Sequence, residues 1–244
     1  VAAAVSVPPA GRFDRSYFET RYTDYERQNP PHKLAFYRRL AEEAAAGIAR
    51  PRVLDVGCAF GAFLSALDPA WDLHGLDVSE YAVERARAAL PRARLAVAGA
   101  AAIPFDPPFD VVTAFDVLEH IHELDAVREA IRDSLAPQGR LVFVVPVYSG
   151  ITGPIVRWLD RDDTHVHRRS RTFWLEWAGA AFEVVEWRGL FRYLLPGGHY
   201  AHRPTRRFRR AAPAIAVSAR KRGIRPPAPD GLKKTSARAH PRPL

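Results

Sequence analysis

The chain predicts an α/β fold, doubly wound about a mostly parallel sheet, and three observations carry that prediction. From Arg52 onward, β-rich runs alternate with stretches of helical spacing. A glycine turn, Gly57 to Gly61, joins the first run to the first helix after it. Three acids, Asp55, Asp77 and Asp116, fall at or near the ends of predicted strands. Such an alternation leaves a ligand crevice at the C-terminal edge of the sheet, and all three acids lie near that edge.

Taken in order, residues 1–12 read as a disordered leader, and the opening Val1-Ala2-Ala3-Ala4-Val5 lacks the basic segment of a signal peptide. Aromatic and apolar residues then recur near helical spacing over 16–28 and 31–48, interrupted at Pro30-Pro31, which predicts two helices ahead of the sheet. The sheet follows as strand 52–56, helix 61–67, strand 72–77, helix 80–89, strand 93–97, strand 110–115, helix 123–135 and strand 140–146. An irregular stretch with Gly150, Gly153 and Pro154 leads to helix 172–181 and strand 183–187. A connection of that length inside a compact domain is usually functional, so 147–171 reads as a substrate-facing insertion. The expected division is 1–50 for leader and lid helices, 51–200 for the ligand-binding domain, and 201–244 for a basic, disordered tail.

Composition narrows the function. A chain of 244 residues with 48% hydrophobic content suits one α/β domain with additions. The lone cysteine, Cys58, excludes an internal disulfide framework and suits a reducing cytoplasm, where it reads as a small hydrophobe beside the turn. No stretch reaches transmembrane length. The net charge of +9 is unevenly spread: thirteen Lys and Arg and one acid lie from His202 onward, leaving 23 basic against 26 acidic residues before it. Nucleic acid is therefore not the expected partner. The tail reads as a solvated extension, with weak contact to an anionic membrane as its alternative role.

The glycine turn sets the ligand class. Gly57 and Gly61 let backbone approach a ligand closely, and Asp77, about twenty residues on, can accept hydrogen bonds from ribose hydroxyls. A dinucleotide site needs G-x-G-x-x-G, whereas this chain reads Gly57-Cys58-Ala59-Phe60-Gly61, with Asp55 where a pyrophosphate would be repelled. S-adenosylmethionine fits, since its sulfonium and amino groups are cationic and it carries no phosphate.

On these residues the chain resembles the class I S-adenosylmethionine-dependent methyltransferases, over about Arg52 to Arg188. The resembling segments come in order: Asp55-Val56-Gly57-Cys58 with Gly61, then Gly75-Leu76-Asp77-Val78-Ser79, then the loop from Ala98 to Phe105, then Phe109 to His120 with its Leu-Glu-His exit, and finally Leu135 to Pro146. The resemblance implies a Rossmann-like, seven-stranded sheet with N-terminal lid helices. It also implies cofactor contacts at Asp55, Gly57, Cys58, Ala59, Gly61, Asp77, Val78, Ala100, Ala101 and Asp116, and Tyr17, Phe18, Tyr22 and Tyr25 would suit the lid. Two departures, Ala59 for the usual middle glycine and Ala100 for the usual acid, imply weaker cofactor affinity.

Methyl transfer is an in-line displacement, so a hydroxyl acceptor needs a base, and histidine suits the task. The candidates are His120 and His122 after the fourth strand, and His165 and His167 near the insertion's end. His120, His165 and the neighbouring Glu119 are the expected catalytic residues. His165 and His167 would point the same way if their segment were extended. The small-molecule type, and the ubiquinone-pathway O-methyltransferases in particular, are similar here, and some of their relatives bind a divalent ion through E-x-x-E-H. Asp116, Glu119, His120 and His165 match that order, which keeps a metal as an alternative to metal-free chemistry. The expected activity is methylation of a hydroxyl on a sugar, lipid-linked or secondary-metabolite acceptor. An N-methyltransferase and an inactive methyltransferase-like binding module are the rivals.

Overall fold

The computed structural model describes residues 13–21, 25–160, 162–195 and 199–222. The expected leader 1–12, the lid residue Tyr22 and residues 223–244 of the expected tail lie outside them.

Three helices come first: α1 Arg15–Arg21, α2 Tyr25–Gln28 and α3 Pro31–Ala44, the last started by a proline in its first turn, where no intrahelical N–H is needed. Then come β1 Arg52–Val56, α4 Ala62–Ser65, β2 Asp72–Asp77, α5 Glu80–Ala89, β3 Arg94–Val97 and β4 Phe109–Phe115. Ser79 caps α5 by accepting from the Ala82 N–H at 3.3 Å. A 3-10 turn, Leu118–His120, follows β4, and α6 Leu124–Ser134 leads into β5 Leu135–Pro146. The remaining elements are α7 Gly153–Leu159, α8 Arg171–Ala181, β6 Phe182–Leu195, β7 His199–Thr205 and β8 Ala214–Lys221. The expected irregular insertion thus contains a helix, α7.

The strands form one sheet in the order β3-β2-β1-β4-β5-β8-β6-β7. The pairs β3 to β5 are parallel, and β7 and β8 run antiparallel to their neighbours. This is the expected doubly wound sheet with eight strands in place of seven. Strand β5 shows why it sits in the middle: Leu141, Phe143 and Val145 pack with Trp174, Trp177 and Phe182 on one face, while Val142 and Val144 pack with Phe36, Tyr37 and Leu40 on the other. Period-two alternation with both faces apolar is the mark of a strand covered by helices on both sides.

The expectation of a disordered tail from 201 is corrected. Strand β8 lies between β5 and β6, with Ile215, Val217 and Ala219 in one core and Ala214 and Ala216 in the other. Eight of the thirteen basic residues counted from His202 onward belong to the folded body. Averaging Arg, Pro and Ala over the whole tail hid a short run whose small side chains fit a tightly covered central strand.

Candidate active site

The glycine turn is built by the end of β2. The Gly57 and Cys58 N–H groups both donate to the Leu76 carbonyl, at 2.8 and 3.0 Å, which folds the chain over as β1 ends. Gly57 has φ +74°, and a Cβ there would lie 2.5 Å from the Val117 side chain that follows β4. Asp77 fastens the turn: one carboxylate oxygen accepts from the Ala59 N–H at 3.0 Å, the other from the Ser79 N–H at 2.9 Å. Ala59 takes φ +45°, the left-handed region in which alanine is strained.

Asp55 lies on the neighbouring strand and accepts from the Thr113 hydroxyl at 2.7 Å. Burial pushes its carboxyl up to about 7, with the charge of Asp77 acting in the same direction, and burial raises Asp77 as well. Among the described residues, the groups that set these two ionisations include no cation. Two buried acids in that condition suit a cationic ligand, whose charge would return them to the ionised form. The donor expected from the sequence, a sulfonium with an ammonium beside it, meets that requirement. Cys58 is buried at the turn with its thiol pushed up by burial, as a small hydrophobe and not a nucleophile. Across the crevice, the turn after β3 closes through Ala102 N–H to Gly99 O at 3.0 Å. Ala100 is buried in that turn, Ala101 is half-buried, and open space lies over Gly99. Val78, half-buried, follows Asp77 directly.

Aromatic residues of the N-terminal segment roof this turn. Phe18, buried, has its ring 4.9 Å from Phe60, and Tyr25 lies 4.6 Å from the same ring. Tyr17 bridges Phe18 at 5.4 Å and Phe13 at 5.0 Å, and Phe13 meets His120 edge-on at 6.0 Å. One aromatic chain therefore runs from the glycine turn to the histidines. An open groove lies elsewhere, outside α6 and α8, where it is lined by His122, His167, Phe173 and Trp177.

Asp116 sits just past β4 at φ +57°, and its carboxylate is surrounded by protein partners. It accepts from the Tyr37 hydroxyl at 3.0 Å and from Arg192, and the Lys33 ammonium is 3.7 Å away. Burial pushes this carboxyl up, but the Arg192 and Lys33 charges outweigh it and hold the group well below the usual range. Asp116, expected to contact the cofactor, thus stands in an ion cluster that ties α3 and β6 to the end of β4. Sequence reading missed Lys33, Tyr37 and Arg192 because they are 76 or more residues away from Asp116 or on a strand expected to end at 187.

Three of the four expected catalytic or metal residues do meet. Ligand-capable atoms of Glu119, His120 and His165 all lie within 4.8 Å of one another, and the two rings are 4.6 Å apart. Asp116, the fourth, is not in this group. His165 Nδ1 is 2.9 Å from an Asp160 oxygen and 3.0 Å from the Tyr148 hydroxyl, which itself donates to Asp160 at 2.7 Å. Burial pushes the Asp160 carboxyl up, but the bonds from Tyr148 and His165 outweigh it and hold it at about 2. His120 Nδ1 lies 2.8 Å from the Thr164 hydroxyl, which donates to Asp162 at 2.5 Å. That hydroxyl has one proton, already given to Asp162, so it accepts from His120. His120 therefore donates through Nδ1 to Thr164, and the Asp160 carboxylate takes the same role at Nδ1 of His165. Burial pulls His120 down to about 4, the neighbouring His165 adding to the effect, so its ring is neutral at pH 7. Glu119 is fully buried, and one of its oxygens has no hydrogen-bond partner among the described residues.

His165 and His167 do not point the same way. The Val166 and His167 N–H groups both donate to the Glu119 carbonyl, at 2.9 and 3.0 Å, which successive residues of a flat strand cannot do. His167 Nε2 instead meets the Ile121 carbonyl at 2.8 Å, and His122 opens on the outer groove, so neither joins the cluster. Asp160, Asp162 and Tyr148 escaped sequence reading, although the acids in Asp160-Arg161-Asp162-Asp163-Thr164-His165 were a usable signal.

Comparison with known proteins bears on the family and the fold. Residues 25–186 match the model of a family described as a methyltransferase domain. An uncharacterised protein of Methanocaldococcus jannaschii is 38% identical over 94 residues, which are 38% of this chain and 40% of that protein. The matched stretch thus spans about two fifths of the length of this curated relative. Among solved structures, a candidate methyltransferase from Bacillus halodurans superposes with a TM-score of 0.61 at 18% identity, covering 78% of this chain and 99% of that one. The N-methyltransferase NodS of Bradyrhizobium japonicum, in complex with S-adenosyl-L-homocysteine, gives 0.58 at 19% identity, covering 79% and 89%. These structures share the fold. With the family match covering most of the chain, the turn, the paired buried acids and the sheet order assign it to the methyltransferase-domain family, as a class I, S-adenosylmethionine-dependent methyltransferase.

Proposed function

We propose that the protein methylates a hydroxyl group of a small molecule and that His165 is the base. The observation that carries this reading is the Asp160–His165 pair, 2.9 Å apart through Nδ1. A hydroxyl must lose its proton as the new bond forms, whereas a neutral amine is nucleophilic without such help, so an oriented base favours oxygen over nitrogen. S-adenosylmethionine supplies an electrophilic methyl on its sulfonium. Asp77 would hold the ribose end and Asp55 the cationic amino-acid end, with the turn residues Gly57, Cys58, Ala59 and Gly61, and Val78, Ala100 and Ala101, forming the walls. His165 Nε2 takes the acceptor's proton, and Asp160 steadies the imidazolium that results. His120, neutral and with its own Nε2 lone pair, orients the acceptor hydroxyl. The lid of α1 and α2 keeps water out.

The test uses a panel of phenols, sugars, polyprenyl-linked hydroxyl compounds and their amino analogues, with release of S-adenosylhomocysteine as the readout. On the acceptor that turns over, His165→Ala is expected to lower kcat by about 10²–10⁴-fold while calorimetric affinity for S-adenosylmethionine stays within about twofold. Unchanged kcat, or a product methylated on nitrogen, overturns the reading.

A second reading is favoured by the unpartnered Glu119 oxygen beside the two histidines. Glu119, His120 and His165 would hold a divalent ion that lowers the pKa of the acceptor hydroxyl. Stripping with EDTA and restoring Mg²⁺, Mn²⁺ or Zn²⁺ separates the two, since turnover unaffected by the chelator removes the ion.

A further inference from the structure

The excursion between β5 and α8 carries an apolar surface apart from the side chains of the site described above. Ile151, Ile155, Trp158 and Leu159 project from α7 and its entry at 86%, 54%, 75% and 50% exposure. A second segment lies against them: the Thr152 hydroxyl donates to the Ala211 carbonyl at 3.0 Å, and Arg171 donates to the Arg210 carbonyl at 2.7 Å. That segment is the β7–β8 turn, Arg206-Arg207-Phe208-Arg209-Arg210, with Phe208 at 60% exposure. Large apolar tips this exposed on a water-facing surface call for a covering partner.

Charge indicates which partner. Residues 150–159 and 206–211 together hold five arginines and no acid. Arg157, Arg207 and Arg210 are exposed, and Arg207 lies over the Phe208 ring at 5.3 Å. Apolar tips ringed by arginine match the two layers of an anionic bilayer surface, where the tips enter the acyl boundary and the guanidiniums meet lipid phosphates. The base of the excursion is drawn together, with Tyr148 and Asp160 at its two ends joined at 2.7 Å beside His165.

We propose that α7 and the β7–β8 turn form a docking face for anionic lipid membranes, setting the His165 side of the protein at the bilayer surface. This goes beyond the hydroxyl-methylation reading and does not depend on it, since binding is measured without turnover.

The experiment is vesicle flotation of the full chain with phosphatidylcholine vesicles, with and without phosphatidylglycerol. The full chain is expected to float with the anionic vesicles and not with the neutral ones. Ile151→Ser/Trp158→Ser is expected to weaken that binding by at least about tenfold, and Arg207→Glu/Arg210→Glu by at least about fivefold per position. Both variants should keep wild-type circular dichroism and S-adenosylmethionine affinity. Equal flotation of wild type and Ile151→Ser/Trp158→Ser overturns the proposal, because the unchanged C-terminal residues would then do the binding. Absence of flotation overturns it as well, and a dimer abolished by Ile151→Ser/Trp158→Ser in sedimentation velocity would then assign the face to a second copy of the chain.

Discussion

Asp160 holds His165 through Nδ1 at 2.9 Å while accepting from Tyr148 at 2.7 Å, so one carboxylate orients the candidate base and closes the excursion that carries α7. Asp160→Asn keeps the shape but offers an amide that can donate to Nδ1, favouring the wrong tautomer. We expect kcat to fall by about 10–100-fold with little change in KM or cofactor affinity, and Asp160→Glu to recover part of the loss. A fall in thermal stability without the kcat effect would mark the contact as purely architectural.

Cofactor affinity should depend on Asp55. Its carboxyl is pushed up to about 7, so near neutral pH the ligand-free protein keeps a proton that a cationic ligand must displace. Affinity is expected to rise as pH goes from 6 to 8, by up to about tenfold, and Asp55→Asn should flatten that rise. The same raised value makes the ligand-free fold lose stability as pH climbs from about 4 to 7. Over that window the unfolded chain has released the proton that the fold retains, and above it the cost is constant. Calorimetry at three pH values on both proteins checks the first statement, and urea unfolding across the window checks the second.

Ala59 occupies the left-handed region at φ +45°, where glycine carries no Cβ penalty. Ala59→Gly should therefore stabilise the protein by about 1 kcal/mol, which is about 2–4 °C in Tm for a chain of this size. It should also tighten S-adenosylmethionine binding by widening the turn. Differential scanning fluorimetry with and without the cofactor reads both, and a lower Tm would mean that the methyl group packs usefully.

Among the described residues, Arg192 is one of two cations in ion-pair reach of half-buried Asp116. Arg192→Met leaves that carboxylate under-compensated, at an expected cost of about 3 kcal/mol. Adding Asp116→Asn should restore part of the loss, because the uncompensated charge is then gone. Additive losses in chemical denaturation would show that the two groups do not act as a pair.

What this chain's sequence determined by itself is local. Hydrophobic alternation marked the strands from β1 to β5, and the spacing from Gly57 to Asp77 marked a cofactor turn, since backbone clearance and a strand-end acid are encoded within a few residues of each other. The Glu119-His120 pair and His165 were legible too, as residue types suited to proton transfer. Only the tertiary structure decided the rest, because those outcomes depend on long-range pairing. Lys33 and Arg192 converge on Asp116 from opposite sides of the sequence, which sets an expected cofactor acid inside an ion cluster. Asp160 and Tyr148 meet around His165 only once the excursion has folded back. Residues 214–221 become a central strand because two open sheet edges, β5 and β6, need a partner. That need, the pairing of buried backbone N–H and C=O groups, belongs to the assembled sheet and to no local stretch of the chain.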